Sequence, residues 1–382
     1  MTDLLRQEIA ATADLIVVKV GTRVLTAPDG TLNRARIAEF AEEMSRLIDS
    51  GRKMVLVSSG AVGAGMDRLK LKSRPTDLAR LQAVAAVGQA RLIEAYDQTL
   101  AVHGRHSAQV LLTAEDLDHR VRYLNIRNTL VSLLEFGVLP IINENDTVAV
   151  DELMTTFGDN DRLAARVTNL LRAPLLVILS DVAGLYDRSP DDPDAQIIPV
   201  VRKFDEQLMS FVRDKNTGVS KGGMASKLEA ARLVTTAGEN VIIASGRDPQ
   251  AITKIVAGET IGTLFLSQGK TVSPRKRWIG FSVEPRGRIL VDAGARRAVE
   301  DSGRSLLAIG VVGVEGEFEK GDVVRVCDAD GDEIARGLTN YSAAEVARIQ
   351  GAQSEKISEI LGHRPYVELI HRDNLTLSRA AR

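Results

Sequence analysis

The sequence predicts an α/β protein: a three-layer domain on a mainly parallel sheet, followed by a small, mostly β domain. Three observations carry this expectation. Through the first two-thirds of the chain, short apolar runs rich in β-branched residues alternate with longer segments of helical period. Most of those runs are apolar throughout, as strands are when helices cover both faces of their sheet. After about Gln268 the texture changes to short strands separated by glycines. A length of 382 residues also fits two domains better than one.

Leu15–Val20 is the first strand. Asn33 can cap a helix running to about Ser50, with Gly51 as its stop. Met54–Val57 is the second strand. Asp77 opens a long Ala- and Leu-rich helix to about Val102, ended by Gly104. Gln109–Leu112 and Val138–Ile142 are the next two strands. Asp159 or Asn160 can cap a helix through Leu171, which Pro174 bars from continuing. Leu175–Leu179 is a strand, Met224–Ala237 a helix ended by Gly238, and Val241–Ala244 and Thr263–Leu266 complete the series. The polar, basic stretch Ser273–Trp278 reads as a linker or as the entry strand of the second domain. Beyond it, short strands are expected at Gly287–Val291, Leu306–Val311 and Asp322–Cys327. Small helices fit near Ala293–Asp301 and Ser342–Ile349. From roughly Asn374 a frayed tail is expected.

Composition narrows the function. A net charge of -2 gives no global pull toward nucleic acid or acidic membranes. The single cysteine, Cys327, excludes an intramolecular disulfide and suits a reducing cytosol. The first residues lack a signal pattern, and no apolar run approaches the roughly 20 residues of a membrane helix. A cytoplasmic protein is therefore expected. The five histidines have no zinc-type spacing to cysteine, and no Gly-x-Ser-x-Gly elbow is present.

Polar residues and glycines gather where the strands end: Lys19-Val-Gly21-Thr22, Ser58-Ser59-Gly60, Asn143-Glu144-Asn145-Asp146, Ser180-Asp181 and Ser245-Gly246. In open α/β sheets the carboxyl ends of parallel strands are where ligands bind. Gly60, Gly63 and Gly65, and again Gly222 and Gly223, precede helices and suit the approach of an anion to backbone amides. Walker A is absent: Gly218 and Gly223 have its spacing, but Met224 stands where lysine is required. Lys19 ends an apolar strand, and Lys227 lies in the first turn of a helix, where the macrodipole disfavours a cation. Both placements make sense beside a bound anion, although a lysine stem that reaches out to solvent accounts for either alone; phosphoryl transfer needs such positive charge together with Mg²⁺. Asn145, Asp146, Asp159, Asn160 and Asp161 offer oxygens for Mg²⁺ or for a substrate ammonium. The same cluster also fits plain turn and cap chemistry.

These residues resemble the amino-acid kinase family. The matching segments are Val18-Lys-Val-Gly-Thr22, Val57-Ser-Ser-Gly-Ala-Val-Gly63, Pro140-Ile-Ile-Asn-Glu-Asn-Asp146, Phe157-Gly-Asp-Asn-Asp161, Leu179-Ser-Asp-Val-Ala-Gly-Leu-Tyr186 and Gly222-Gly-Met-Ala-Ser-Lys227. Residues 14–267 would form the kinase domain, and residues 284–362 look like a PUA domain. The Asn-Glu-Asn-Asp and Gly-Asp-Asn-Asp pair is similar to the branch that uses ATP and Mg²⁺ to phosphorylate the γ-carboxylate of free L-glutamate, the first step of proline biosynthesis. The resemblance implies residue roles. Lys19 and Lys227 would contact the transferring phosphoryl group, with Asp161 orienting both. Ser59, Asp146 and Asn160 would hold glutamate. Ser180, Asp181, Lys221, Gly222, Gly223, Met224, Ala225 and Ser226 would line the ATP site with the two lysines; the residues that hold the metal are left unassigned. The family often has Thr or Ser where this chain has Lys221 and Ser180. The resemblance further implies feedback inhibition by proline, a homo-oligomer, and hand-off to glutamyl phosphate reductase. Two alternatives stand beside it: a carboxylate kinase for aspartate or acetylglutamate, and RNA binding through the PUA-like part. The acidic run from Glu315 to Glu333 argues against RNA, although Arg286, Arg288, Arg296, Arg297 and Arg304 offer a local basic patch.

Overall fold

The computed structural model describes residues 3–27, 30–148, 159–204, 208, 223–268, 274–363 and 366–378. The chain divides into two compact units, Met1–Gly269 and Lys270–Arg382.

The first unit is built on an eight-stranded sheet. Its strands are β1 (Leu15–Val20), β2 (Lys53–Ser58), β3 (Ser107–Leu112), β4 (Leu139–Glu144), β5 (Leu175–Ser180), β6 (Val200–Val201), β7 (Asn240–Ser245) and β8 (Thr263–Phe265). Their order is β3-β4-β2-β1-β5-β7-β8-β6. The pairs are parallel, except that β8 runs antiparallel to β7. Ile16, Val17 and Val18 of β1 and Leu176, Val177 and Ile178 of β5 are fully buried, as continuous apolar strands must be beneath helices on both faces. The expected strands all form; the two-residue β6 carried no signal of its own.

Local chemistry sets the helix bounds. Asn33 accepts from the Arg36 amide at 3.0 Å and starts helix Arg34–Asp49. Asp77 accepts from the Arg80 amide at 3.0 Å and starts helix Leu78–Val102. Gly51 and Gly104 follow with φ of +92° and +66°, left-handed turns that glycine takes without strain. Helix Leu4–Thr12 was not foreseen. Its buried Arg6 donates to the carbonyls of Ile261, Pro199 and Gly262 at 2.6, 2.8 and 3.0 Å, which fastens the helix to the β6–β8 end of the sheet.

Two glycines expected in anion-binding loops have another task. Gly60 does cap helix Ala61–Leu69, at φ +105°. Gly65, however, lies inside that helix, where a Cβ would stand 1.9 Å from the Val84 carbonyl oxygen. A Cβ on Gly88 would stand 1.7 Å from the Ala61 oxygen. Helices Ala61–Leu69 and Leu78–Val102 therefore touch backbone to backbone. Gly63 also meets its surroundings through space, with the Gly30 oxygen 3.1 Å from where its Cβ would be.

The second unit holds a five-stranded sheet of β9 (Gly287–Val291), β10 (Val311–Gly316), β11 (Val323–Cys327), β12 (Glu333–Leu338) and β13 (Leu375–Leu377), in the order β10-β9-β11-β12-β13. Ile289, Val324, Val326, Ala335, Tyr341 and Ile349 form its core. Three expectations are corrected. Pro274–Arg277 is a helical turn that runs into a π-helix over Trp278–Ser282, because Trp278, Ile279 and Phe281 have a core to enter. Leu306–Val311 is not a strand: Leu306 makes one bridge to Ile370, and the strand begins at Val311. Residues after Asn374 do not simply fray, since Leu375 and Leu377 pair with Gly337 and Ala335 of β12.

Candidate active site

The carboxyl ends of β1, β2, β4, β5 and β7 lie along one edge of the sheet, and backbone bonds lock them in step. The Gly21 amide donates to the Leu179 oxygen at 3.1 Å, Ser59 to Val20 at 3.2 Å, and Gly246 to Ser180 at 2.7 Å. Helix Arg34–Asp49 braces the last loop. Its buried Arg36 lies over the Phe40 ring and donates through Nε to the Gly246 oxygen at 3.0 Å and through Nη2 to the Asp248 oxygen at 2.9 Å.

One cluster is ionic. Asp161, in the first turn of helix Asp159–Leu171, is 1% exposed. Its Oδ1 lies 2.6 Å from Nζ of Lys19, at the end of β1. Its Oδ2 accepts from Nζ of Lys227 at 3.2 Å and from Oγ of Ser226 at 2.9 Å. Lys227 also donates to the Gly223 carbonyl at 2.9 Å, within the first turn of helix Gly223–Thr236. Burial pushes the Asp161 carboxyl up, but the two lysines outweigh it and hold it below the usual carboxylate range. Burial lowers the Lys227 ammonium, against the pull of Asp161, and repulsion from Lys19 adds to the lowering. Two positive charges thus meet one negative charge in a buried setting, an arrangement that an incoming anion completes.

The second cluster is a chain of amides. Asn160 Nδ2 donates to Ser59 Oγ at 2.9 Å and to Asn143 Oδ1 at 3.1 Å. Asn143 Nδ2 donates to Gln89 Oε1 at 3.3 Å, and Gln89 Nε2 donates to Asp146 Oδ2 at 3.3 Å. The expected residues Ser59, Asn160 and Asp146 are therefore brought together, but through Asn143 and Gln89. Consecutive residues Asn160 and Asp161 join the amide chain to the ionic cluster.

A third group lies at the end of β5. Ser180 Oγ donates to Asp181 Oδ1 at 3.1 Å, and Arg23 Nη1 donates to Asp181 Oδ2 at 2.9 Å. Burial raises the Asp181 carboxyl, yet the bonds from Arg23 and Ser180 prevail and hold it below its ordinary value. Gly223 borders open space, and Met224 and Ala225 stand half-buried and exposed in the same turn. Lys221, Gly222 and the Asp159 side chain lie outside the described residues.

Gln89 and Arg23 were not foreseen as site residues. Gln89 carried a signal: it falls on the apolar stripe of its helix, four residues after Ala85 and three before Leu92, where a polar side chain needs a partner. Arg23 follows the first strand-end motif and carried no separate signal. Asp161 lies between the two lysines, and one oxygen of Asp146 accepts from Gln89. Among the described residues, no three acidic, His or Cys side chains converge. Among the described residues no helix is long and apolar enough to cross a membrane.

The strand-end edge gathers two buried lysines on one carboxylate, and the chain belongs to the amino acid kinase family. That family matches residues 14–245, and the PUA domain matches residues 287–361. Within the family its near relatives are glutamate 5-kinases. That of Rhodopirellula baltica is 50% identical, covering 98% of this chain and 96% of its own. That of Methylococcus capsulatus is 47% identical over 95% and 97%. That of Geobacter sulfurreducens is 46% identical over 98% and 100%. Among solved structures, a carbamate kinase from Giardia lamblia bound to AMP-PNP aligns with 68% of this chain and 99% of its own, at 20% identity and a TM-score of 0.48.

Proposed function

We propose that this chain transfers the γ-phosphoryl group of ATP to the γ-carboxylate of L-glutamate, the first step of proline biosynthesis. The Lys19–Asp161–Lys227 arrangement carries the reading, and the names and near-complete coverage of the relatives supply the substrate. A glutamate carboxylate is ionised at neutral pH, with an ordinary pKa of about 4.3, so no general base is needed. Its oxygen attacks the γ-phosphorus, the bond to the bridging oxygen breaks, and ADP leaves with the electron pair. Two anions must approach, so the task is positioning and charge neutralisation. Lys19 and Lys227 do that, and Asp161 holds both ammonium groups on the reacting side. Mg²⁺, carried on the nucleotide phosphates, supplies further charge neutralisation when bound.

In this reading Asp146 receives the α-ammonium, and Ser59 and Asn160 orient a carboxylate. Ser180, Asp181 and the turn from Lys221 to Ser226 face the nucleotide. Proline shares the carboxylate and ammonium of glutamate and would compete near Asp146. A homo-oligomer acting in the cytoplasm, with hand-off of the hydrolysis-prone acyl phosphate to a reductase, belongs to the same reading. RNA binding does not: Arg286, Arg288 and Arg296 are paired with Asp322, Glu315, and Glu300 and Asp328, which weakens a phosphate-facing surface.

The test is ADP release with glutamate, aspartate or N-acetylglutamate, with hydroxylamine trapping of the product. Turnover with glutamate should exceed that with N-acetylglutamate by about 10²-fold or more, since a site built for a polar group rejects an analogue lacking it, and that with aspartate, one methylene shorter, by about 10-fold or more. Equal or greater turnover with aspartate or N-acetylglutamate would overturn the substrate.

A further inference from the structure

Gln89 uses the whole hydrogen-bonding capacity of its amide. Nε2 donates to the Glu144 carbonyl and to Asp146 Oδ2, each at 3.3 Å. Oε1 accepts from Asn143 Nδ2 at 3.3 Å and from Gln109 Nε2 at 3.2 Å. A primary amide has two N–H donors and two acceptor lone pairs, so all four are engaged. The orientation is therefore decided: a flipped amide would set its oxygen against a carboxylate and a carbonyl, and its NH₂ against two donors. Gln89 is also 6% exposed, so water does not compete freely for these bonds.

The backbone that carries Gln89 is equally constrained. Its neighbour Gly88 lets helix Leu78–Val102 rest on the Ala61 carbonyl, and Gly65 admits Val84 from the other side. Ala61 begins the helix that comes after Ser59 and Gly60. One rigid contact thus sets Gln89 and Ser59 at a fixed separation. Seven residues further along the helix, buried Tyr96 places its hydroxyl 3.4 Å from Ser58 Oγ, a second tie to the end of β2.

We propose that Gln89 is a positioning residue that fixes the Asp146 carboxylate for an α-ammonium and so sets discrimination for amino-bearing substrates. This deepens the glutamate-kinase reading and rests on it. Gln89 does not touch the reacting atoms. It acts through Asp146 on one side and, through Asn143, on Asn160 and Ser59 on the other. Without its N–H donor, Asp146 has fewer restraints on its orientation and an ammonium gains less from it. A substrate without the ammonium, such as glutarate, loses only what passes through Asn143 to Asn160 and Ser59, a loss that glutamate shares, so the ratio of the two reads the Asp146 arm alone.

The experiment measures kcat/KM for glutamate and for glutarate with the full chain, comparing wild type, Gln89→Leu and Gln89→Glu. The glutamate-to-glutarate ratio is expected to fall about tenfold or more in Gln89→Leu, the scale of a hydrogen bond to a charged group. The KM for ATP should stay within about twofold. Gln89→Glu keeps the size of the side chain and guards against a folding failure of the leucine variant. Ionised, it repels Asp146; protonated, it donates to it. Its glutamate KM should therefore fall between pH 8.5 and pH 6, relative to wild type. A ratio unchanged in both variants, or a uniform loss for both substrates with a lowered melting temperature, overturns the role of Gln89. A wild-type chain that releases no ADP with glutamate overturns the underlying function instead.

Discussion

The ammonium of Lys19 lies 2.6 Å from Oδ1 of Asp161, with both groups nearly excluded from solvent. The pair joins the end of β1 to the first turn of helix Asp159–Leu171. Because Oδ2 of the same carboxylate serves Lys227, each lysine keeps its partner when the other is lost. That separates the chemical role of either lysine from its structural one.

Lys19→Ala and Lys227→Ala should each lower kcat about 10²–10³-fold, the scale of removing one group that stabilises transition-state charge. Hydroxylamine trapping of the acyl phosphate measures it. Near-normal turnover in both variants would remove these residues from phosphoryl transfer.

Asp161→Asn should act on the fold as well. It leaves two buried ammonium groups facing each other, and breaking a buried pair costs about 3–5 kcal/mol. The sign with pH comes from the lowered carboxyl. Such a group contributes stability above its unfolded pKa of about 3.9, and that stability is lost as pH falls through the folded value. The melting-temperature gap between wild type and Asp161→Asn should therefore be full at pH 7 and narrow below about pH 4. A gap that holds constant or widens in acid would mean that Asp161 is not the ionised partner of the lysines.

Much of this site is legible in the sequence because strand ends are local signals. Lys19 after an apolar run and Asp161 after a cap residue are visible in a few residues of sequence. Gln89 is only half legible: its place on an apolar stripe says that it has a partner, but its partners Asn143 and Asp146 are remote in sequence. Gly65 looks like loop chemistry for a similar reason, since only the packed neighbour Val84 shows why no side chain fits. The second unit is least legible wherever pairing decides structure. Leu375–Leu377 is a strand because Ala335 and Gly337 are there to bond it, and three residues carry no periodicity alone.

Lys227 should set an alkaline limit on turnover. Burial holds its ammonium below the ordinary lysine value, against the attraction of Asp161. The kcat/KM profile should therefore fall at a pH below about 10.4, the usual lysine pKa. In Lys227→Arg the guanidinium stays protonated throughout, so residual activity should lose that limb. An alkaline limb unmoved in the arginine variant would assign it to another group.

Gly88→Ala sets two opposing effects against each other. Alanine favours the helix by about 1 kcal/mol over glycine. Against that, its Cβ would lie 1.7 Å from the Ala61 oxygen and 2.6 Å from the Gly65 amide nitrogen. Both are backbone atoms, so no side chain can turn aside, and the two helices must part. Overpacking a tight contact costs about 1–3 kcal/mol, occasionally more, and rigid main chain on both sides points to the upper end. The clash should win by about 2 kcal/mol, with a melting temperature lower by roughly 4 °C in a unit of this size. Because Ala61 comes directly after Ser59 and Gly60, parting the helices also displaces Ser59 from the Asn160 amide. The glutamate KM should then rise more than the ATP KM, and Gly65→Ala should do the same through Val84. An unchanged melting temperature in both variants would show that the helices can separate without cost, and that their contact does not hold the amide chain in place.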